Sequence, residues 1–218
     1  MPNHALMIFD LDGTLVDSAP DLQLAVNRVL ADHGCAPVSL GETRNMIGDG
    51  AAQLIQRAFA ARSIPLVDPP EALRQFIAHY RAAPTANTLL YDGVLETLGT
   101  LKERGCAMAV CTNKPENPTN EILRRLGIAE FFPRVVCGDT HAYRKPDPRM
   151  LTGILTEFAV NPPMSLMIGD SEVDAATAQA ARVPFVLMTY GYRRGAVQDI
   201  PCLAALDRFA DLTRQLSE

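Results

Sequence analysis

The sequence predicts an α/β fold: a Rossmann-like parallel sheet core with helices on both faces, and a small all-helical domain inserted after the first strand. Two observations carry this. Short apolar runs at 6–9, 107–111, 135–137, 166–168 and 185–188 alternate with segments of helical spacing, the pattern of buried parallel strands joined by helical crossovers. Between about residues 20 and 81 that rhythm stops, and only helical periodicity remains. The expected division is a core of 1–16 and 85–218 around a helical domain of 17–84.

The elements follow in order. LMIF at 6–9 reads as the first strand, and helices follow at 20–32, 40–46, 51–62 and 70–80. Ser39 and Glu42 form a capping box for the second of these, since a hydroxyl and a carboxylate three residues apart satisfy each other's backbone donors. The spacing then predicts helices over 93–103, 118–126, 148–158, 173–181 and 203–216 between the remaining strands. Ser171 or Asp170 caps the helix at 173–181.

Composition narrows the function classes. An apolar fraction of 48% supports a real core, and no apolar run reaches the length of a membrane span. Asp10 and Asp12 interrupt the first apolar stretch, so it does not read as a secretion signal. The five cysteines are dispersed without CxxC spacing, which points to free thiols in a reducing cytoplasm and not to disulfides or zinc. A net charge of -5 argues against nucleic acid as the main partner. Monomer and homodimer both stay open.

The chemistry gathers at the ends of strands. Residues i and i+2 of a strand point the same way, so Asp10 and Asp12 can face one site. Ligands of open parallel sheets bind at the carboxyl ends of the strands. There the chain also carries Thr112, Asn113 and Lys114 after one strand, and Asp170 with Asp174 after another; Lys145 stands just before a helix.

In these motifs the sequence resembles the haloacid dehalogenase superfamily of phosphohydrolases. DLDGT at 10–14, Thr112, Lys145 and GDSEVD at 169–174 match its four motifs in order. The longer runs IGDGAAQLIQR, TNKP, KPDP and TYGYRRG resemble its phosphoglycolate phosphatases, and the helical insert falls where the family places its cap domain. The resemblance implies a Mg2+-dependent phosphomonoester hydrolase acting on a small phosphorylated metabolite, 2-phosphoglycolate first. Sugar phosphates, amino-sugar acid phosphates and nucleotides are the alternatives, with a sugar-phosphate mutase as the rival reaction.

The implied roles follow. Asp10 is the nucleophile that becomes an aspartyl phosphate, and Asp12 the acid and base. Asp10, Asp170 and the backbone carbonyl of Asp12 hold the metal, with Asp174 orienting Lys145 or a metal-bound water. Thr112, Asn113, Gly13 and Thr14 hold phosphoryl oxygens. In the insert, Gly48 of MIGDG is the expected substrate contact, with Arg44 or Arg57 available for a substrate carboxylate. Lys114 reads as solvated or at the rim, and Arg193 and Arg194 as a solvated loop. A metal-free dehalogenase needs neither Asp12 nor Asp170. A phosphonate hydrolase needs a cap lysine, and 17–88 contains none, the only lysines being Lys102, Lys114 and Lys145. A non-catalytic binding module has no reason to keep the acid, the base and the lysine together.

Overall fold

The first strand, β1 (Leu6–Phe9), is buried at every position. Its side chains divide by parity: Met7 and Phe9 enter one core cluster, Leu6 and Ile8 the other. An alternating strand with apolar side chains on both faces needs cover on both sides, which is why the chain builds helices above and below the sheet. In this computed structural model, residues 5–82 and 86–215 are described. The expected 84/85 division lies outside them.

Six parallel strands form the sheet in the order β5-β4-β1-β6-β7-β8. They are β4 (Ala107–Cys111), β5 (Arg134–Val136), β6 (Ser165–Gly169), β7 (Phe185–Met188) and β8 (Ala204–Leu206), with β1 central. Helices α5 (Val94–Glu103) and α6 (Glu116–Arg125) cover the Met7/Phe9 face. Helices α7 (Arg149–Glu157) and α8 (Glu172–Ala181) cover the Leu6/Ile8 face. At roughly 1.5–3 kcal/mol for each fully buried large apolar side chain, these two layers supply most of the driving force. The registers Phe9↔Val110 and Phe9↔Ile168 bring the ends of β4, β1 and β6 level.

The insert between the first and second core strands is helical, as expected. Helices α1 (Ala19–Asp32), α2 (Leu40–Arg44), α3 (Ala51–Ala61) and α4 (Pro69–Ala82) share a separate apolar cluster that includes Val26, Ile55, Phe59 and Phe76. The Ser39–Glu42 capping box is present on α2. At the edge of this unit, β2 (Val16–Asp17) pairs antiparallel with β3 (Leu89–Leu90), so the outgoing and returning chain run side by side. Two residues carry no periodicity, and sequence pattern gave no sign of that pair.

One element departs from expectation. The stretch 203–216 is not one helix: Ala204–Leu206 pairs with Val186–Met188 as the edge strand β8, a 3-10 turn covers Phe209–Asp211, and only Leu212–Gln215 is α-helical (α9). Its apolar residues do recur at helical spacing. The open edge of β7 offered hydrogen bonds that outweighed the propensity, while Phe209 and Leu212 still reach the core. Among the described residues, no helix is long and apolar enough to cross a membrane.

Candidate active site

The site forms where the sheet's chain order reverses, with β1 flanked by β4 and β6, the position at which parallel α/β sheets bind ligands. Asp10 follows the last residue of β1, its N–H held by the carbonyl of Ile168. Asp12 lies in the turn beyond, so the two carboxylates leave the strand before they diverge, and both line one cavity of about 660 Å³. That turn requires glycine. Gly13 has φ +88°, and a Cβ there would lie 2.3 Å from Asp170 Oδ2. Gly191 is equally constrained, since its Cβ would stand 2.2 Å from that of Asp170.

Each of the paired carboxylates has its own buried ammonium. Lys145 Nζ lies 2.8 Å from Asp10 Oδ1 and 2.6 Å from Asp174 Oδ1. Asp10 Oδ1 is within ion-pair distance of that ammonium yet has no aligned hydrogen-bond partner. Asn113 fixes Lys145: its Oδ1 accepts from the Lys145 N–H at 2.9 Å and its Nδ2 donates to the Lys145 carbonyl at 3.0 Å. The same Nδ2 reaches the carbonyl of Gly48 at 3.1 Å, which ties the helical unit to the site. Thr112 is buried at the cavity wall and its hydroxyl accepts from the Lys114 N–H.

Asp170 and Asp174 come from the strand–helix turn after β6. Ser171 caps α8, with Asp174 completing the capping box. Asp174 Oδ2 accepts from the Ser171 hydroxyl and from the N–H groups of Asp170 and Ser171, while Oδ1 takes Lys145. Both its oxygens are therefore engaged by the protein. Asp170 accepts from the Thr14 hydroxyl at 3.0 Å and from the Tyr192 N–H at 2.6 Å. Thr14 thus reaches Asp170, although the sequence pointed it at phosphoryl oxygens.

Electrostatics mark the cluster as short of positive charge. Burial is the main reason that Asp10 is raised to about 7; Lys145 pulls it back, and Asp174 and Asp12 push it further up. Asp170 is driven well above the usual carboxylate range by burial, then by Asp174 and Asp10. Burial alone would lower Lys145, but Asp10 and Asp174 hold it above its ordinary value. Oxygens of Asp10, Asp170 and Asp174 lie within 4.8 Å of one another. An all-oxygen set of buried carboxylates, one oxygen of it unsatisfied, fits a hard divalent cation such as Mg2+.

The structure corrects two readings of the sequence. Lys114 is not solvated: it is buried, with its ammonium 3.1 and 3.2 Å from the two oxygens of Asp12. Arg44 pairs with Asp17 at 2.8 Å, and Arg57 pairs with Asp49 and the Met46 carbonyl, so neither is among the cavity-lining residues, whereas Gly48 is. Arg194 is exposed, as expected of a solvated loop, and pairs with Asp49 at 2.7 Å.

Tyr192 is a residue that sequence reasoning missed. Its hydroxyl accepts from the N–H groups of Ser18 at 2.9 Å and Ala19 at 3.1 Å, and donates to Asp17 at 2.6 Å. With its own N–H on Asp170, it joins the acidic cluster to the start of α1. Nothing local could have revealed this, since the partners stand more than 170 positions apart. Replacing Tyr192 by Phe strands the buried Ser18 donor, at a cost of about 1–3 kcal/mol. Thermal denaturation should show a melting temperature lower by about 2–4 °C per kcal/mol; an unchanged value would mean that another acceptor takes over.

Known proteins resemble this chain in sequence and fold. The family model for haloacid dehalogenase-like hydrolases matches residues 7–188. A phosphoglycolate phosphatase of Rhodospirillum rubrum is 45% identical over 212 residues, which span 94% of this chain and 88% of that protein. Another, of Agrobacterium fabrum, is 40% identical over 219 residues, spanning 100% and 94%. The crystal structure of a predicted phosphoglycolate phosphatase from Haemophilus somnus superposes with a TM-score of 0.93 at 33% identity, covering 99% of both chains. With its sequence and fold in agreement with these relatives, the chain belongs to the haloacid dehalogenase-like hydrolases, as a phosphoric monoester hydrolase.

Proposed function

We propose that the protein hydrolyses a small phosphate monoester in the cytoplasm, 2-phosphoglycolate first, through an aspartyl phosphate on Asp10 and with bound Mg2+. One observation carries the reading. Asp10 is a buried carboxylate on the cavity wall, 2.8 Å from a buried ammonium and beside two further buried carboxylates. The choice of substrate rests on the names of the relatives.

Asp10 attacks phosphorus, a bond forms from its carboxylate oxygen, and the bond from phosphorus to the ester oxygen breaks. Asp12 delivers a proton to the departing alkoxide. It then takes one from the water that attacks the aspartyl phosphate, releasing inorganic phosphate and restoring the Asp10 carboxylate and the protonated Asp12. Lys145 steadies Asp10 and adds positive charge next to the phosphoryl group, and the Thr112 hydroxyl on the cavity wall would donate to its oxygens; the Gly13 N–H, expected to do the same, is instead committed to the Val16 carbonyl at 2.8 Å. Mg2+, held by Asp10, Asp170 and the Asp12 carbonyl, would neutralise the phosphoryl oxygens. Asp174 has both oxygens committed to protein donors and serves by holding Lys145 and the α8 turn. The α1–α4 unit acts as a cap: Leu22, Ile47, Phe76 and Tyr80 from it close the cavity over Asp10 and Asp12.

The test is direct. Purified protein with Mg2+ should release phosphate from 2-phosphoglycolate, stop on addition of EDTA, and recover with excess Mg2+. Were kcat/KM for 2-phosphoglycolate to trail those of sugar phosphates and nucleoside monophosphates by orders of magnitude, the substrate assignment would fall. If no ester were cleaved, p-nitrophenyl phosphate included, the phosphatase reading itself would be lost.

A further inference from the structure

The site has two buried ammonium groups with separate partners: Lys145 beside Asp10, and Lys114 beside Asp12 on the cavity wall. Lys114 Nζ stands beside Asp12, on the side where the leaving oxygen must sit if Asp12 protonates it, a placement that rests on the proposed mechanism. Burying a second ammonium there is expensive unless it does something that one pair with Asp12 does not. Asp12 has another donor in the Ser18 hydroxyl. Over Lys114 lies Tyr80 of α4, its ring centroid 4.9 Å from Nζ. Tyr80 is 5% exposed, lines the same cavity, and its hydroxyl has no aligned hydrogen-bond partner. The Lys114 ammonium interacts with that oxygen, which leaves the Tyr80 O–H proton to donate to a ligand atom.

Lys114 and Tyr80 therefore bring two donors, one charged, to the leaving-group end of the cavity. A carboxylate presents two acceptor oxygens and one negative charge. In the phosphate ester of a 2-hydroxy acid that carboxylate is a single carbon from the one bearing the ester oxygen, a separation comparable with that between Asp12 and Lys114. We infer that Lys114, assisted by Tyr80, determines specificity by binding a carboxylate on the leaving alcohol, so that the site selects phosphate esters of 2-hydroxy acids over uncharged analogues of the same size. Arg81 and Arg144 also line the cavity, but both are exposed, where solvent weakens their discrimination.

The experiment compares 2-phosphoglycolate with its amide, the phosphate ester of glycolamide, which keeps the shape and loses the charge. Wild-type protein should favour the acid by about 100-fold in kcat/KM, the scale of one charge-assisted hydrogen bond in a dry site. Lys114→Met should reduce that acid-to-amide ratio to within a few-fold of unity, whatever happens to the absolute rates. Tyr80→Phe removes no charge and should fold normally; it should lower the ratio by about tenfold. An unchanged ratio in either variant, with both esters slowed equally, would mean that Lys114 merely supports Asp12 or that Arg81 or Arg144 reads the carboxylate. The inference would then fall while the phosphatase reading stood. A wild-type protein that cleaves acid and amide alike would overturn both this inference and the choice of 2-phosphoglycolate.

Discussion

Asp10→Asn should abolish Mg2+-dependent phosphate release, lowering kcat by about 10⁴-fold or more, the order lost when an enzyme's nucleophile is removed. The amide keeps the shape of the carboxylate and fills the same space, so the loss reports chemistry and not folding. Two further readouts separate nucleophile from bystander. Wild-type protein quenched in acid during turnover of a labelled ester should carry label stable in acid and released by base, as an acyl phosphate is; the variant should carry none. Mg2+ should raise the melting temperature of the wild type more than that of the variant, because the amide removes one of the anionic oxygens in the cluster. A variant retaining a tenth of wild-type activity would move the nucleophilic role to another carboxylate.

Much of this site was legible because it is written in strand ends. Asp10, Thr112 and Asp170 each follow an apolar run that must be a buried strand, and parallel topology brings such ends to one edge. Local pattern therefore fixes both identity and place. Asp174 was readable for a second reason, as the third helical residue of a capped helix that turns it back toward the same edge.

Lys114, Tyr80 and Tyr192 were hidden because their neighbours are distant in sequence. Lys114 reads as the solvated residue before a proline until α4 folds over it and Asp12 arrives from 102 positions away. The arginines of the insert misled for the opposite reason. Arg44 and Arg57 carry the right charge for a substrate, yet Asp17 and Asp49 claim them first. Charge can be read from a sequence, but competition for that charge requires a fold. The stretch 203–216 failed in the same way, its helical period overridden by the open edge of β7.

Lys145→Met should produce the largest loss of stability of any single substitution in the site. The ammonium is 3% exposed, between Asp10 at 2.8 Å and Asp174 at 2.6 Å. Removing it leaves two buried carboxylates facing one another, with Asp170 close by. Breaking a buried pair by deleting one partner costs about 3–5 kcal/mol, which for a chain of this size lowers the melting temperature by about 2–4 °C per kcal/mol. Activity should fall with it, since Asp10, the proposed nucleophile, loses the group that orients it. The cause can be isolated by adding Asp174→Asn to the same protein. That second change removes one of the stranded charges while keeping the capping geometry of α8, so the double variant should melt above the single one. Mg2+ should also recover more stability in Lys145→Met than in wild type, because it replaces positive charge that the wild type already has. A single variant that melts within about 1 kcal/mol of wild type, or a double variant no better than the single, would show that the carboxylates were never held together by this lysine.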